Sequence, residues 1–403
     1  MKKRFISLVA AAALVGGMVA YGAAQAGTVA TSGDTNISVY GEVRADFVWS
    51  KKMAEIPGWS NVAQKDQGTG ASAAQKNKTN FGATANLSTV GLELENEDIG
   101  VSGCIEAAFD EDNDVLNLKQ AYLQHDFANY FVLIGKTDYL LTQEHASIND
   151  AGIAGINTTP DLVPQLRLGG EFDLGTATLT PEIAVADVKD DEVVGDSSEP
   201  EGVGVNRTTM PGVAGKLTAS IKTFFGEPIN VYGGYSWEQV KLDASGTEKK
   251  KSPQVATAGV SIPISWLTLS ANYNYMKGAT GFSGLDSTPP SYYVKTSGDV
   301  EEIKGHGWNI EANLTPIEQA SIWAGYSEAK FNDIGDLYTD GSFINEEVVK
   351  KNSEYYIGAS YALSEVTTIS AEYDHFKTKW QTGAATSRKD KGDLYILSFS
   401  YAF

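Results

Sequence analysis

The sequence has a single cysteine, Cys104, and four histidines in 403 residues, which excludes an internal disulfide framework and a cysteine-based zinc site. Basic residues are scarce: 31 Lys and Arg stand against 51 Asp and Glu, for a formal charge of -20. A chain of that sign is a poor partner for nucleic acid, whose phosphates demand positive charge. Beyond the N-terminus no stretch approaches the ~18 uncharged apolar residues that a membrane helix needs. Averaged over the chain, the 42% hydrophobic and 20% charged content is that of a soluble globular protein. Length allows two or three domains, or one large all-β unit.

The one apolar run is at the start. Lys2, Lys3 and Arg4 precede Phe5 through Ala20, and Ala24-Gln25-Ala26 follows with small residues at the cleavage-like positions. This pattern predicts a cleaved secretory signal peptide over residues 1–26 and a mature chain of residues 27–403. Loss of its three positive charges takes the formal charge from -20 to -23.

What the mature chain does have is alternation. Ile37, Val39, Gly41, Val43, Ala45, Phe47 and Trp49 share one face, and Tyr40, Glu42, Arg44 and Asp46 the other. Period 2 with one apolar face is a β-strand signature. The pattern returns at Val101 to Phe109, Leu166 to Phe172, Val213 to Ile221, Leu267 to Tyr275, Trp308 to Leu314, Tyr355 to Leu363 and Tyr395 to Phe403, among others. With the less regular strands that spacing requires, the sum is sixteen. Short turns alternate with long polar connections, which fall at 51 to 78, 138 to 164, 187 to 208, 241 to 252, 277 to 303, 330 to 352 and 377 to 392. A soluble sandwich has no reason to place its long loops at one end; a transmembrane barrel does, with short periplasmic turns and long extracellular loops. The strand charges, including Glu106, Glu171, Glu182, Glu311, Glu372 and Asp374, fall on the polar parity, as a lipid face requires. Aromatics such as Tyr273, Trp308, Tyr326 and Tyr355 fall on the other, toward strand ends, as interfacial girdles do.

The chain ends on Tyr395-x-Leu397-x-Phe399-x-Tyr401-x-Phe403. This ending resembles the C-terminal assembly signal of Gram-negative outer-membrane barrels, and Val39-Tyr40-Gly41-Glu42-Val43 resembles the first-strand motif of the trimeric porins. Leu118-Lys119-Gln120-Ala121-Tyr122-Leu123 followed by Phe131-Val132-Leu133-Ile134-Gly135-Lys136 looks like the strand pair leading into the porin loop that folds inside the barrel. The resemblance implies an all-β, 16-stranded antiparallel transmembrane barrel with an inward-folded third loop. It further implies a homotrimer in the outer membrane, inserted by the barrel-assembly machinery and surrounded by lipid and lipopolysaccharide.

Such a barrel leaves an aqueous lumen, so the expected function is passive diffusion of small hydrophilic solutes and ions. The third long loop, 138 to 164, carries Asp138, Glu144, Asp150 and Asp161 and no Lys or Arg, and is the candidate acidic side of a constriction. Arg44, Arg167 and Lys216 are the candidate basic side, with Glu42, Asp46, Glu106 and Glu171 as lumen acids. Opposed charges orient dipolar solutes, and the net charge predicts a modest cation preference. A channel specific for small carboxylates or phosphate is the runner-up, and a structural or adhesive barrel a further alternative.

Other constellations carry less. Asp110, Asp112 and Asp114 begin like a calcium loop, but Val115 and Ala121 stand where Gly and Glu are needed. The acidic stretch around Asp187 to Glu201 reads as solvated, or bridged to lipopolysaccharide through divalent ions. No nucleophile with a matched base stands out, so no enzyme activity, cofactor or metal is expected. Outward Gly41, Ala45, Gly103 and Ala107 mark the N-terminal strands as a candidate subunit interface.

Overall fold

The computed structural model describes residues 27–32, 34–53, 63, 78–110, 115–143, 145–149, 162–186, 203–224, 226–244, 247–285, 288–295, 297, 299–332, 334–340 and 347–403. The segment read as a signal peptide lies outside the described residues. Among the described residues no helix is long and apolar enough to cross a membrane; strands make the wall.

Sixteen strands form one closed antiparallel barrel, several of them interrupted by an irregularity. The first four are β1 (Thr35–Lys51), β2 (Thr79–Thr84 continued by Thr89–Asn96), β3 (Val101–Asp110) and β4 (Val115–Phe127). Then come β5 (Tyr130–Asp138), β6 (Leu162–Gly170 with Phe172–Asp173), β7 (Ala177–Ala186) and β8 (Val203–Ile221). The third group is β9 (Ile229–Ala244), β10 (Thr247–Lys251 with Gln254–Ile264), β11 (Leu267–Lys277) and β12 (Lys304–Ile317). The last is β13 (Ala320–Asn332), β14 (Val348–Ala362), β15 (Thr367–Gln381) and β16 (Ser387–Ala402). The ring closes where β1 pairs with β16, from Glu42 opposite Ala402 to Lys51 opposite Asp393. Phe403 and Gly41 exchange both main-chain hydrogen bonds at 3.0 Å.

Parity follows the predicted alternation. Val43, Ile105, Leu168, Ile310, Ile357 and Tyr395 are exposed on the outside, whereas Asp46, Asn309, Glu311, Glu354 and Asp374 are buried inside. Outward aromatics form a girdle near the long-loop rim: Trp308 lies 4.8 Å from Tyr326, Tyr326 4.5 Å from Tyr355, and Tyr373 4.9 Å from Tyr395. Trp266, Tyr361 and Tyr401 stand exposed toward the short-turn rim. Six residues separate Tyr355 from Tyr361, about 20 Å of strand, and the apolar belt lies between the two girdles.

The structure corrects the reading at the long-loop rim. Residues 377–392 are no long loop, since β15 continues to Gln381 and β16 begins at Ser387. Residues 241–252 are also largely strand, with Lys241 opposite Lys250 across β9 and β10. Above the membrane the outer face meets polar surroundings, so apolar alternation stops while the backbone ladder goes on. The connection 277–303 holds a small hairpin, Tyr292–Val294 with Val300–Glu302. Its Tyr293 and Ile303 pack with Phe331, Leu337, Val349 and Trp380 into an apolar core that fills the mouth on the β12–β15 side.

Candidate functional site: the inner loop and its anchors

The connection after β5 enters the lumen. Tyr139, Leu140 and Leu141 are buried at its start, packed with Val255, Met276 and Phe282. Burial pushes the Tyr139 phenol up to about 12, so it is neutral at any physiological pH. Gln143 then donates to Thr257 on β10 and to Asn274 on β11, the latter at 3.3 Å. The chain continues along the wall to β12, β15 and β1.

Its anchors are carboxylates on the wall taking donors from the loop. The Ala146 amide donates to both oxygens of Glu311, at 3.1 and 3.0 Å. Glu372 accepts from the Ser147 hydroxyl at 2.6 Å and from the amides of Ile148 and Asn149, each at 3.2 Å. Asp374 accepts from the Asn149 side chain at 2.8 Å. Successive amides aimed at one anion make a backbone nest, here occupied by a side chain of the same protein.

Two aromatic donors complete the anchors in matching ways. Gly358 on β14 stands between Trp323 on β13 and Glu372 on β15 in one cross-strand row, and the indole N–H crosses it to donate to Glu372. Gly325 stands between Glu311 and Tyr356 in another row, and the Tyr356 hydroxyl crosses it to donate to Glu311 at 2.8 Å. A Cβ at Gly325 would lie 2.1 Å from the Tyr356 ring, far inside contact distance. Glycine at these two positions is what lets each aromatic lie flat on the wall.

The predicted basic residues separate. Arg44 does reach the loop: its Nη2 donates to the Ile148 carbonyl at 2.9 Å while Nε bonds Asp46 at 3.0 Å and Ser398 at 3.1 Å. Arg167 is on the far wall, donating to the Asp138 carbonyl at 2.5 Å and sitting 3.7 Å from Glu182. Lys216 stands opposite Glu182 across β7 and β8 and lies 5.1 Å above the Tyr232 ring. These form an Arg167, Glu182, Lys216 group away from the pinned part of the loop.

Among the predicted acids, Asp138 ends β5 and is exposed. Glu144, Asp150 and Asp161 lie outside the described residues. Glu106 faces inward, 3.5 Å from Lys119 and 3.0 Å from the Tyr40 hydroxyl. Glu42 shares the inward parity of β1 with Asp46, which is fully buried, and Glu171 sits in the exposed break between the two segments of β6. Sequence reasoning placed Glu311, Glu372 and Asp374 on the polar face without giving them a task. The one trace of that task in the sequence is that Glu311 and Glu372 have no basic residue within two positions on either side.

A closed barrel with an apolar belt between aromatic girdles, a polar interior and a loop bound inside it is a multi-pass transmembrane β-barrel. Its fold is that of the outer-membrane porins. No protein-family model and no curated protein matches the sequence, but solved structures match over nearly the whole chain. The outer-membrane channel DcaP of Acinetobacter baumannii is similar with a TM-score of 0.67 at 18% identity, covering 93% of this chain and 99% of that one. An anion-selective porin from Comamonas acidovorans gives 0.54 at 12% identity, covering 92% and 100%. Salmonella typhi OmpF gives 0.53 at 12% identity, covering 92% and 98%.

Proposed function

We propose that the protein is an outer-membrane porin, a water-filled channel for passive diffusion of small hydrophilic solutes and ions, with a mild preference for cations. The observation that carries this reading is the loop after β5, pinned by Glu311, Glu372 and Asp374 to one side of a sixteen-strand lumen. A barrel of that strand number leaves an aqueous passage, and a loop held to the wall narrows it without closing it. The reading calls for no bond chemistry. The excess of acids over bases favours cations over anions by electrostatics. Planar-bilayer recording tests both parts: stable open steps with a cation-directed reversal potential in a salt gradient support the reading. Silence sinks the channel, and an anion-directed potential sinks the preference.

A second reading, a channel specific for small carboxylates or phosphate, draws on Arg167 and Lys216 around Glu182. Block of conductance by such solutes at low concentration favours it.

The N-terminal strands are proposed as the face of a homotrimer. Their outer side has a depression of about 450 Å³ among Leu92, Leu94, Gly103, Ile105, Leu123 and Ile134. Small residues there admit a neighbouring surface. Crosslinking in mild detergent that yields a three-chain band supports this assembly; a single chain in every mild detergent argues against it.

A further inference from the structure

The strand extensions at the long-loop rim bring like charges into direct opposition. Lys330 on β13 stands opposite Lys351 on β14, Lys351 opposite Lys379 on β15, and Lys379 opposite Lys389 on β16. These four form one unbroken cross-strand row, and His306 on β12 continues it opposite Lys330. One rung nearer the aromatic girdle, Lys377 stands opposite Lys391. Further round the same rim, Lys277 faces Lys304 and Lys241 faces Lys250.

All of the row lies on the outward parity, shared with exposed Tyr355 and Tyr395 and not with buried Phe376, Trp380 and Leu394. Glu328 answers part of the charge through an ion pair to Lys351 at 2.7 Å, and the Tyr326 hydroxyl donates to the same carboxylate at 2.7 Å. Lys377 lies 4.6 Å over the Tyr355 ring. Among the described residues, that one carboxylate against four lysines leaves a strong surplus.

Like charges directly opposite on a sheet destabilise it. A row of such pairs in a chain of charge -20 is therefore a site made for an anion. Its depth says where the anion sits. Tyr326 and Tyr355 each lie four residues from the row, on β13 and β14, about 13 Å along the strand. Interfacial aromatics mark the headgroup level, so the row stands above that level, by about 10 Å once the strand tilt is taken into account, within reach of the phosphorylated sugars of a glycolipid headgroup. Its width is three strand spacings, about 14 Å, broad enough for more than one phosphate.

We infer that the lysine row of β13–β16 binds the phosphate groups of a phosphorylated glycolipid in the outer leaflet, directly and without a bridging cation. The inference rests on the barrel's lying in an outer membrane and is independent of conduction. The lipid is held by its headgroup at the row while its chains lie along the apolar belt below. Binding relieves the opposed charges, so lipid and rim stabilise each other.

Native mass spectrometry of the full barrel in neutral detergent tests this with three probes: lipopolysaccharide, lipopolysaccharide stripped of phosphate, and inorganic pyrophosphate, each with a chelator present. The expected result is retention of the intact lipid, with at least tenfold loss in the double variant Lys379→Gln, Lys389→Gln, which leaves the Lys351–Glu328 pair in place, and no loss in Lys222→Gln at the opposite rim. Thermal midpoints give a second readout that a merely structural role would not produce. Without lipid the double variant melts higher than the parent because repulsion is removed; with intact lipid it melts lower because the ligand is lost. Equal retention of the dephosphorylated lipid, unchanged binding by the double variant, or dependence on added divalent ion overturns the inference. Pyrophosphate raising the midpoint as much as the lipid at equal phosphate assigns the row to a soluble anion and overturns the lipid as occupant.

Discussion

Trp323 and Gly358 are direct partners across β13 and β14, and a Cβ at 358 would stand 2.3 Å from the indole. The absent side chain is the path by which the indole N–H reaches Glu372.

Gly358→Ala is therefore expected to lift the indole from the wall. Overpacking of this kind costs about 1–3 kcal/mol, and Glu372 loses a donor as well. The denaturation midpoint of the folded barrel, followed by its heat-dependent gel mobility, is expected to fall. Trp323→Phe removes the N–H together with the five-membered ring, so its cost combines the lost hydrogen bond, worth about 1.5–3 kcal/mol for a charged acceptor, with that of the space left behind.

Glu372→Gln keeps the shape of the anchor but turns one acceptor into a donor, facing either the Ile148 amide and the Trp323 indole or the Asn149 amide and the Ser147 hydroxyl. Release of the loop from that point is expected, with single-channel conductance becoming noisier and stepping between levels. Loss of about 2 kcal/mol raises the released population roughly thirtyfold. Current traces identical to the parent's would show that the carboxylate does not hold the loop.

Arg44→Gln tests the predicted base that touches the pinned part of the loop. It removes the guanidinium between Asp46 and the Ile148 carbonyl and leaves a buried acid uncompensated. The reversal potential in a salt gradient is expected to move further toward cations. A move toward anions would contradict this account of the lumen.

The outer hairpin offers a pH test. The Lys295 ammonium, 2.8 Å from Glu301, holds that carboxyl below the usual carboxylate range. A depressed folded value means the stabilisation is present above the unfolded value and fades as pH falls through the folded one. Amide exchange in 292–302 is expected to speed up on acidification from about pH 6 to about pH 3, where carboxylates titrate, beyond the intrinsic rate change. Lys295→Gln removes that dependence.

Much of the barrel could be read from sequence because lipid imposes a strict rule on one face: Val43 and Trp49 declare β1, and Ile310 and Trp308 declare β12. Where the rule ends, so does legibility. Lys377, Lys379 and Lys389 look like a polar loop, yet they are strand, since the ladder needs no apolar face once it leaves the belt. Inward Phe376, Trp380, Leu394 and Ile396 break the parity because packed residues, and not water, cover the wall on that side of the mouth. The anchors were hidden for another reason. Glu311 and Glu372 bind mainly main-chain amides, and an amide leaves no mark on the sequence.

That choice of donor has a consequence for how such a channel changes over time. Among the described loop residues Glu311 binds the Ala146 amide alone, and two of the loop's three bonds to Glu372 come from backbone amides. The side chains at 146, 148 and much of the surrounding loop can therefore be exchanged while the attachment points stay in place. The wall specifies where the loop is tied; on the porin reading the loop is left to specify what passes, and selectivity can drift, or be redesigned, without renegotiating the fold.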